Sequence, residues 1–373
     1  MSTTVYVGYG GSVVQLQSKT LQGVSINYGR TDLSSSPAPM SCSLSILWDS
    51  SLGTLDPDLF LIGNGIGIAN DTGWRFQGEM TDVSVNKDVI SITAVSRPLS
   101  RLSRLTLDFT GLSSSSGVVL GSALSTIELA IGYIVKSVSI GTVGVTAPTS
   151  TAANALDYLQ QIADSEPSGV LSDDRNARLW FTDANDRRTT TPAATLLASE
   201  ISNAWTAERR VSSKANRARV GWTGGTVQYD DTADQATYGV YEDSVTTLIN
   251  NSSDATILAT RMVKNQTVPD WQLSELTLEL STLSAARQLA LTTAFQISNL
   301  IEIPTLFAGL QTKYFVEGYS ERIGQTSWSI TLYLSDITLT RPADRWIDVP
   351  VAEQWNTLAP ALTWDQAWKE PVR

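Results

Sequence analysis

Apolar and polar residues alternate along much of the chain with a period of two, the signature of strands that bury one face. The runs "TVYVGY" and "GVSINYG" open the sequence, and Cys42 alternates with Leu44, Ile46 and Trp48 in "CSLSILW". The stretch "GNGIGIANDTG" reads as a turn feeding a strand. From Arg75 to Ser96, Val83 and Val85 lead into a polar turn and Ile90, Ile92 and Ala94 lead out, which predicts a hairpin with one buried face. The serine-rich stretch from Ser113 marks a boundary, and the period then changes. Ala155, Leu156, Leu159, Ile162 and Ala163 fall on one helical stripe, with Ser150 or Thr151 as N-cap and Pro167 and Gly169 as the stop. A hairpin through "VLSDDRNARLWFTDANDRR" follows, with Leu179 and Phe181 on one face and Trp180 on the other. Strand patterning resumes at "RARVGW". Helices are expected near Asp254 to Lys264 and Ala285 to Phe295, before the closing run "KYFVEGYSERIGQTSWSITLYLSDITL".

That closing run resembles the earlier hairpin. Phe76-x-Gly78, then Val83 and Ser91-Ile92-Thr93, corresponds to Phe315-x-x-Gly318, then Ile323 and Ser329-Ile330-Thr331. Two readings stand: the alternation that any two amphipathic hairpins share, or an internal duplication of a β-barrel that would set Val83 over Ile323. Trp328, Ile330, Leu332 and Leu334 are the inner face of the second hairpin. Beyond it, tryptophan returns every nine residues at Trp346, Trp355 and Trp364, with Trp368 outside the period and Pro350, Pro360 and Pro371 barring helix or central strand. This is the pattern of an arm, with Trp346, Trp355, Leu358, Trp364 and Trp368 as candidate partner-binding residues. The arm either binds another protein surface or covers an edge strand of its own fold.

Composition narrows the function. With 373 residues, the chain is long enough for two or three cores. Its net charge of -11 argues against gripping nucleic acid, while suiting a surface past which DNA slides. The absence of histidine excludes Ser-His-Asp and Cys-His systems and histidine zinc sites, and the single cysteine excludes a disulfide framework. Cys42 reads as a core side chain. The first residues lack a secretory pattern and no run is long enough to span a membrane, so synthesis and folding in a cytoplasm are expected. Carboxylate chemistry survives this elimination. However, Asp173 with Asp174, and Asp230, Asp231 and Asp234, sit among turn formers and read as solvated loops rather than catalytic or calcium sites.

Three stretches resemble the baseplate hub or minor tail proteins of long-tailed bacteriophages, especially those of actinobacteria. They are "VSINYGRTDLSSSPAPMSCSLSILW" with Gly29, Arg30, Pro37 and Pro39, "RFQGEMTDVSV", and "TLYLSD" followed by the Trp-Asp-rich tail. The resemblance implies a mainly β protein with two related antiparallel, tail-tube-like β-barrels. The first would span residues 1–110 and the second 200–340, with a helical insertion around 240–270. A small α/β insertion at 111–199 and an extended C-terminal arm at 341–373 complete the plan. It further implies a structural virion protein, made in the host cytoplasm, whose homotrimer forms a ring at the tail tip. Distal-tail or tail-tube proteins would lie on one side, and other tip or receptor-binding proteins would be held by the arm. DNA or a tape-measure protein would pass through without specific binding. No enzyme activity, cofactor or metal is expected. Two other classes remain: a carbohydrate-binding or carbohydrate-active tail protein, which would explain the many tryptophans, and a hexameric distal-tail protein.

Overall fold

The computed structural model describes residues 3–9, 12–16, 21–31, 36–47, 57–189, 191–208, 214–266, 271–306 and 309–337. The chain opens with β1 (Thr3–Tyr9), β2 (Ser12–Leu16), β3 (Leu21–Gly29), β4 (Ser41–Leu47), β5 (Gly65–Asn70), β6 (Gly73–Asn86) and β7 (Val89–Val95). A mixed region follows: α1 (Arg97–Ser103), β8 (Thr106–Phe109), β9 (Leu112–Ser115), α2 (Ser116–Ile131), β10 (Lys136–Val138), β11 (Gly144–Ala147), β12 (Ser150–Asn154), α3 (Ala155–Asp164), β13 (Val170–Asp173) and β14 (Leu179–Thr182). After β15 (Ala194–Thr195) and β16 (Ile201–Glu208) come β17 (Arg217–Trp222), β18 (Gly225–Asp230), α4 (Thr232–Tyr238), β19 (Glu242–Thr246) and α5 (Ser252–Gln266). The last elements are β20 (Gln272–Glu279), α6 (Ala285–Ala294), β21 (Leu300–Glu302), β22 (Lys313–Ile323) and β23 (Trp328–Asp336).

Alternation produces the strands as expected. On β4, Cys42, Leu44 and Ile46 are buried and alternate with more exposed residues, and on β7 Ile90, Ile92 and Ala94 do the same; Trp48 lies outside the described residues. The pairing does not separate into two barrels. Instead one 13-stranded sheet runs β16-β20-β23-β22-β3-β4-β7-β6-β5-β1-β2, with β15 and β21 attached beside β22. Its two halves meet where β3 pairs β22, with Tyr28 opposite Tyr319 and their rings 4.9 Å apart. Among the described residues this path does not close, since β2 and β16 each have one partner. It does curl. Arg75 on β6 and Glu321 on β22 join side chains although β3, β4 and β7 lie between their strands. Apolar residues from both halves share one core.

The two hairpins carry matching devices at a different register from the one read in the sequence. Each first strand has a bulge, between Met80 and Asp82 in one and between Val316 and Gly318 in the other. Ile92 faces Val83, whereas Ile330 faces Glu321 and Ile323 faces Trp328. Alignment through the second strands therefore sets Val83 over Glu321, not over Ile323. The repeated glycines have one physical cause: a Cβ on Gly78 would overlap the Val95 carbonyl, and one on Gly318 the Tyr28 carbonyl.

A second core gathers Leu120, Leu124 and Ile127 of α2, Leu159 and Ile162 of α3, Phe181 of β14, Val220 of β17 and Val263 of α5. Residues 217–263 thus pack with the α/β region that precedes them. Main-chain bonds from Thr146 to Leu248 and from Asn250 to Gly144 tie the two stretches together. The helix expected after Thr151 starts later, because Asn154 caps it by accepting from the Leu156 and Asp157 amides, at 3.0 and 3.2 Å. Ser150 and Thr151 lie on β12. The longest helix among the described residues, α2, was not expected: glycine and serine break up its apolar stripe. No helix among the described residues is long and apolar enough to cross a membrane.

These contacts separate two glycines experimentally. Gly318→Ala should lower the urea-derived unfolding free energy by about 2 kcal/mol or more, the cost of overpacking. Gly121→Ala, on α2 with nothing near its missing Cβ, should raise it by about 0.5 to 1 kcal/mol.

Candidate functional site

One buried ion cluster lies where the α/β body meets the sheet. β22 changes neighbour within its length: Leu300 and Ile301 of β21 face Phe315 and Tyr314, while β3 pairs from Gly318 onward. The bulged residue between them is Glu317, fully buried. Arg187, itself fully buried on the 3-10 turn Ala184–Arg188, donates to both carboxylate oxygens at 2.5 and 2.9 Å. Arg30, just past β3, donates its Nε at 2.8 Å, and the Ser335 hydroxyl adds a further bond. Burial alone would raise the Glu317 pKa, but Arg187 and Arg30 overcome it and hold the carboxyl far below its ordinary range.

Four residues further along β22, Glu321 repeats the device inside the curl. Arg75 donates Nε and Nη2 to it at 2.9 and 2.8 Å, and the Trp328 indole donates at 2.7 Å. The Arg75 guanidinium also lies over the Trp328 ring, 5.6 Å from its centroid. From the turn between β13 and β14, Arg175 reaches the Thr292 carbonyl at 2.8 Å. The tip of that hairpin is thereby docked onto the end of α6.

No protein-family profile matches this sequence, and no curated protein matches it. Solved structures do. A 43 kDa tail protein of prophage MuSo2 from Shewanella oneidensis superposes with a TM-score of 0.63 at 12% identity, over 92% of this chain and 100% of the other. A tail protein from Neisseria meningitidis MC58 gives 0.62 at 12% identity, over 92% and 99%. Prophage tail protein gp18 from Listeria monocytogenes EGD-e gives 0.54 at 10%, over 92% and 98%. The chain has the phage tail-protein fold.

Within this tail-protein fold the acidic pairs read as solvated loops divide into two kinds. Asp173 and Asp174 are buried, contrary to expectation, because their hairpin is pressed against the sheet. Asp174 accepts from the Asn176 and Arg178 amides, from the Arg178 side chain and from the Trp180 indole. Asp173 accepts from the Met40 amide at 3.2 Å and from the Ser96 hydroxyl, and burial pushes it up to about 7. The second cluster is local. Asp231 caps α4, Asp234 pairs with Lys214 at 2.8 Å, and hydrogen bonds from Gln235, Gln228 and Arg217 draw Asp230 down to about 2. Among the described residues no group of three or more Asp, Glu or Cys could hold a metal ion.

Glu166 completes the pattern: its carboxylate accepts from the Ser116 hydroxyl and from the Thr142, Val143 and Ala184 amides. Each of these buried carboxylates holds protein donors and so fastens separate elements together. A cavity of about 160 Å³ lies against Tyr28, Asp174, Trp180 and Ser298, at the same junction. One basic cluster also emerges that no linear run announced: α1 sets Arg97, Arg101 and Arg104 around Glu79. The candidate partner-binding residues Trp346, Trp355, Leu358, Trp364 and Trp368 lie outside the described residues. Sequence reasoning missed Glu317 and Glu321. Their signal was present in "KYFVEGYSERI", where acids interrupt an otherwise buried strand and so demand partners.

Two tests address these groups. Glu317→Ala should cost about 3 to 5 kcal/mol of stability, because it leaves Arg187 buried without its counter-charge; urea unfolding measures it. Asp173 has a raised folded pKa, so its native form holds a proton that the unfolded chain releases above about pH 4. Its contribution is favourable at the acid end and declines as pH rises toward 7, by up to about 1.4 kcal/mol per unit. Asp173→Asn should therefore gain stability relative to the parent between pH 4 and pH 8 (about the span of that titration), and parallel stability curves would contradict this.

Proposed function

We propose that this protein is a structural component of a phage tail, forming a ring at the tail tip that continues the tube and holds neighbouring tail proteins. The observation that carries the reading is the likeness in fold to solved tail proteins along essentially their whole length. A sheet whose two terminal strands each have one partner among the described residues, with an ion-locked junction, suits a ring subunit, which must keep its shape while copies press against it. We take the ring to be a homotrimer in the virion, with DNA or a tape-measure protein passing through a channel that an acidic chain keeps free of phosphate contacts. The protein is then not an enzyme.

The carbohydrate reading draws less support from the side chains. Trp328 and Trp180 do sit beside carboxylates, but their indoles donate to Glu321 and Asp174, and Trp328 is fully buried. A sugar face cannot stack on it. Native mass measurement of the purified full chain, with negative-stain imaging, tests the proposal. Trimeric rings are expected. A sixfold ring would favour the distal-tail alternative, and a protein that stays monomeric and is absent from purified tails would overturn the tail reading altogether.

A further inference from the structure

The α/β body carries an apolar face that nothing among the described residues covers. Leu129 is 91% exposed near the end of α2, and Tyr133 follows at 83%. The chain then runs back beside the helix, so that Ile140, 74% exposed, returns next to Gly117, whose amide donates to the Ile140 carbonyl at 3.0 Å. Val118 and Val135 extend the two ends of the strip. Between Ser116 and Ile140 the only charged residues are Glu128 and Lys136, and they pair with each other. On a chain of net charge -11 this is a surface without net charge, roughly 16 Å long from the rise of a helix between Val118 and Leu129. A face of this kind marks a contact site.

The place where the chain leaves the described fold identifies an occupant. Asp336 pairs with Tyr314 at the end of β23, and its neighbour Ser335 bonds Glu317. Glu317 holds Arg187, and the adjacent Asp186 accepts from the Ser139 hydroxyl at 2.7 Å. Ile140 is the next residue. The exit and one end of the strip are thus connected through a single ion pair and one short turn. Beyond the exit, Trp346 comes ten residues after Asp336, within about 33 Å of extended chain. The nine residues to Trp355 span at most about 30 Å, more than the length of the strip. From Gln354 to Trp364 the sequence "QWNTLAPALTW" carries no charge, as the strip carries none in excess.

We propose that this face is the docking surface for the chain's own C-terminal segment, with Trp346 and Trp355 covering its two apolar ends. The short tether gives the contact a high effective concentration, so it forms within one copy. This goes beyond the tail reading and does not depend on it. In the docked state the segment shields α2 and becomes part of the α/β body.

Hydrogen exchange on the full-length protein, at a concentration where it is monomeric, tests the proposal. Amides of residues 346–358 should be protected. The double substitution L129D and I140D, at exposed positions that leave both cores intact, should remove that protection by about tenfold or more while the amides of β3 and β22 exchange as before. A photoreactive residue at position 129 should cross-link to the 346–358 region with a yield that dilution does not change. Three results would overturn the proposal: no protection in the parent protein, protection that survives the double substitution, or cross-linking that vanishes on dilution, which would assign the face to a second copy.

Discussion

A carboxylate taken out of water must be given a counter-charge and donors, and Glu317 receives both from three distant parts of the chain. Arg30 comes from the end of the third strand, Arg187 from the α/β body and Ser335 from the last strand. None of these groups can be satisfied alone. Arg187 buried without Glu317 would be an isolated charge, and Glu317 without the arginines would leave the ionised state. The ion cluster can therefore exist only when the sheet is joined and the α/β body is seated. The bulge at Glu317 is part of the same constraint, since it lets β22 hydrogen-bond with β21 along one stretch and with β3 along the next.

The second ion pair acts inside the curl rather than at the junction. Arg75 and Glu321 belong to strands that are not neighbours in the sheet, so their bond reports curvature directly. Trp328 caps the pair with its indole N–H and its ring, which explains why a tryptophan alternates with aliphatic residues on that strand. A curled sheet with both hydrophobic halves in one core has less freedom to flatten than two separate hairpins would have.

Elsewhere the fold meets the demands of buried acids mainly with backbone amides, with Arg178 adding its charge at Asp174. Glu166 and Asp174 are surrounded by main-chain donors from turns that the carboxylates themselves organise. Asp173 is held by backbone amides, Met40 and Leu99 among them, and by the Ser96 hydroxyl, and burial raises its pKa. The acidic composition thus serves two ends. Part of it is spent within the molecule, and the rest sets the charge of the surface.

The sequence by itself determined the elements whose signal is local. The strands around Cys42 and Ile92 and the helices near Leu159 and Ala259 were legible, because alternation and helical stripes each leave a short-range mark. The likeness of the two hairpins was visible too, though not their register, which depends on bulges that one residue can shift. The helix α2 was hidden because small residues blur its stripe. Only the tertiary structure decided that both hairpins belong to one sheet, that residues 217–263 join the earlier α/β region, and that Asp173 and Asp174 are buried. The physical reason is common to all three. Strand partners, core membership and the burial of a charge depend on residues far apart in the chain, and no spacing along it records which of them will meet.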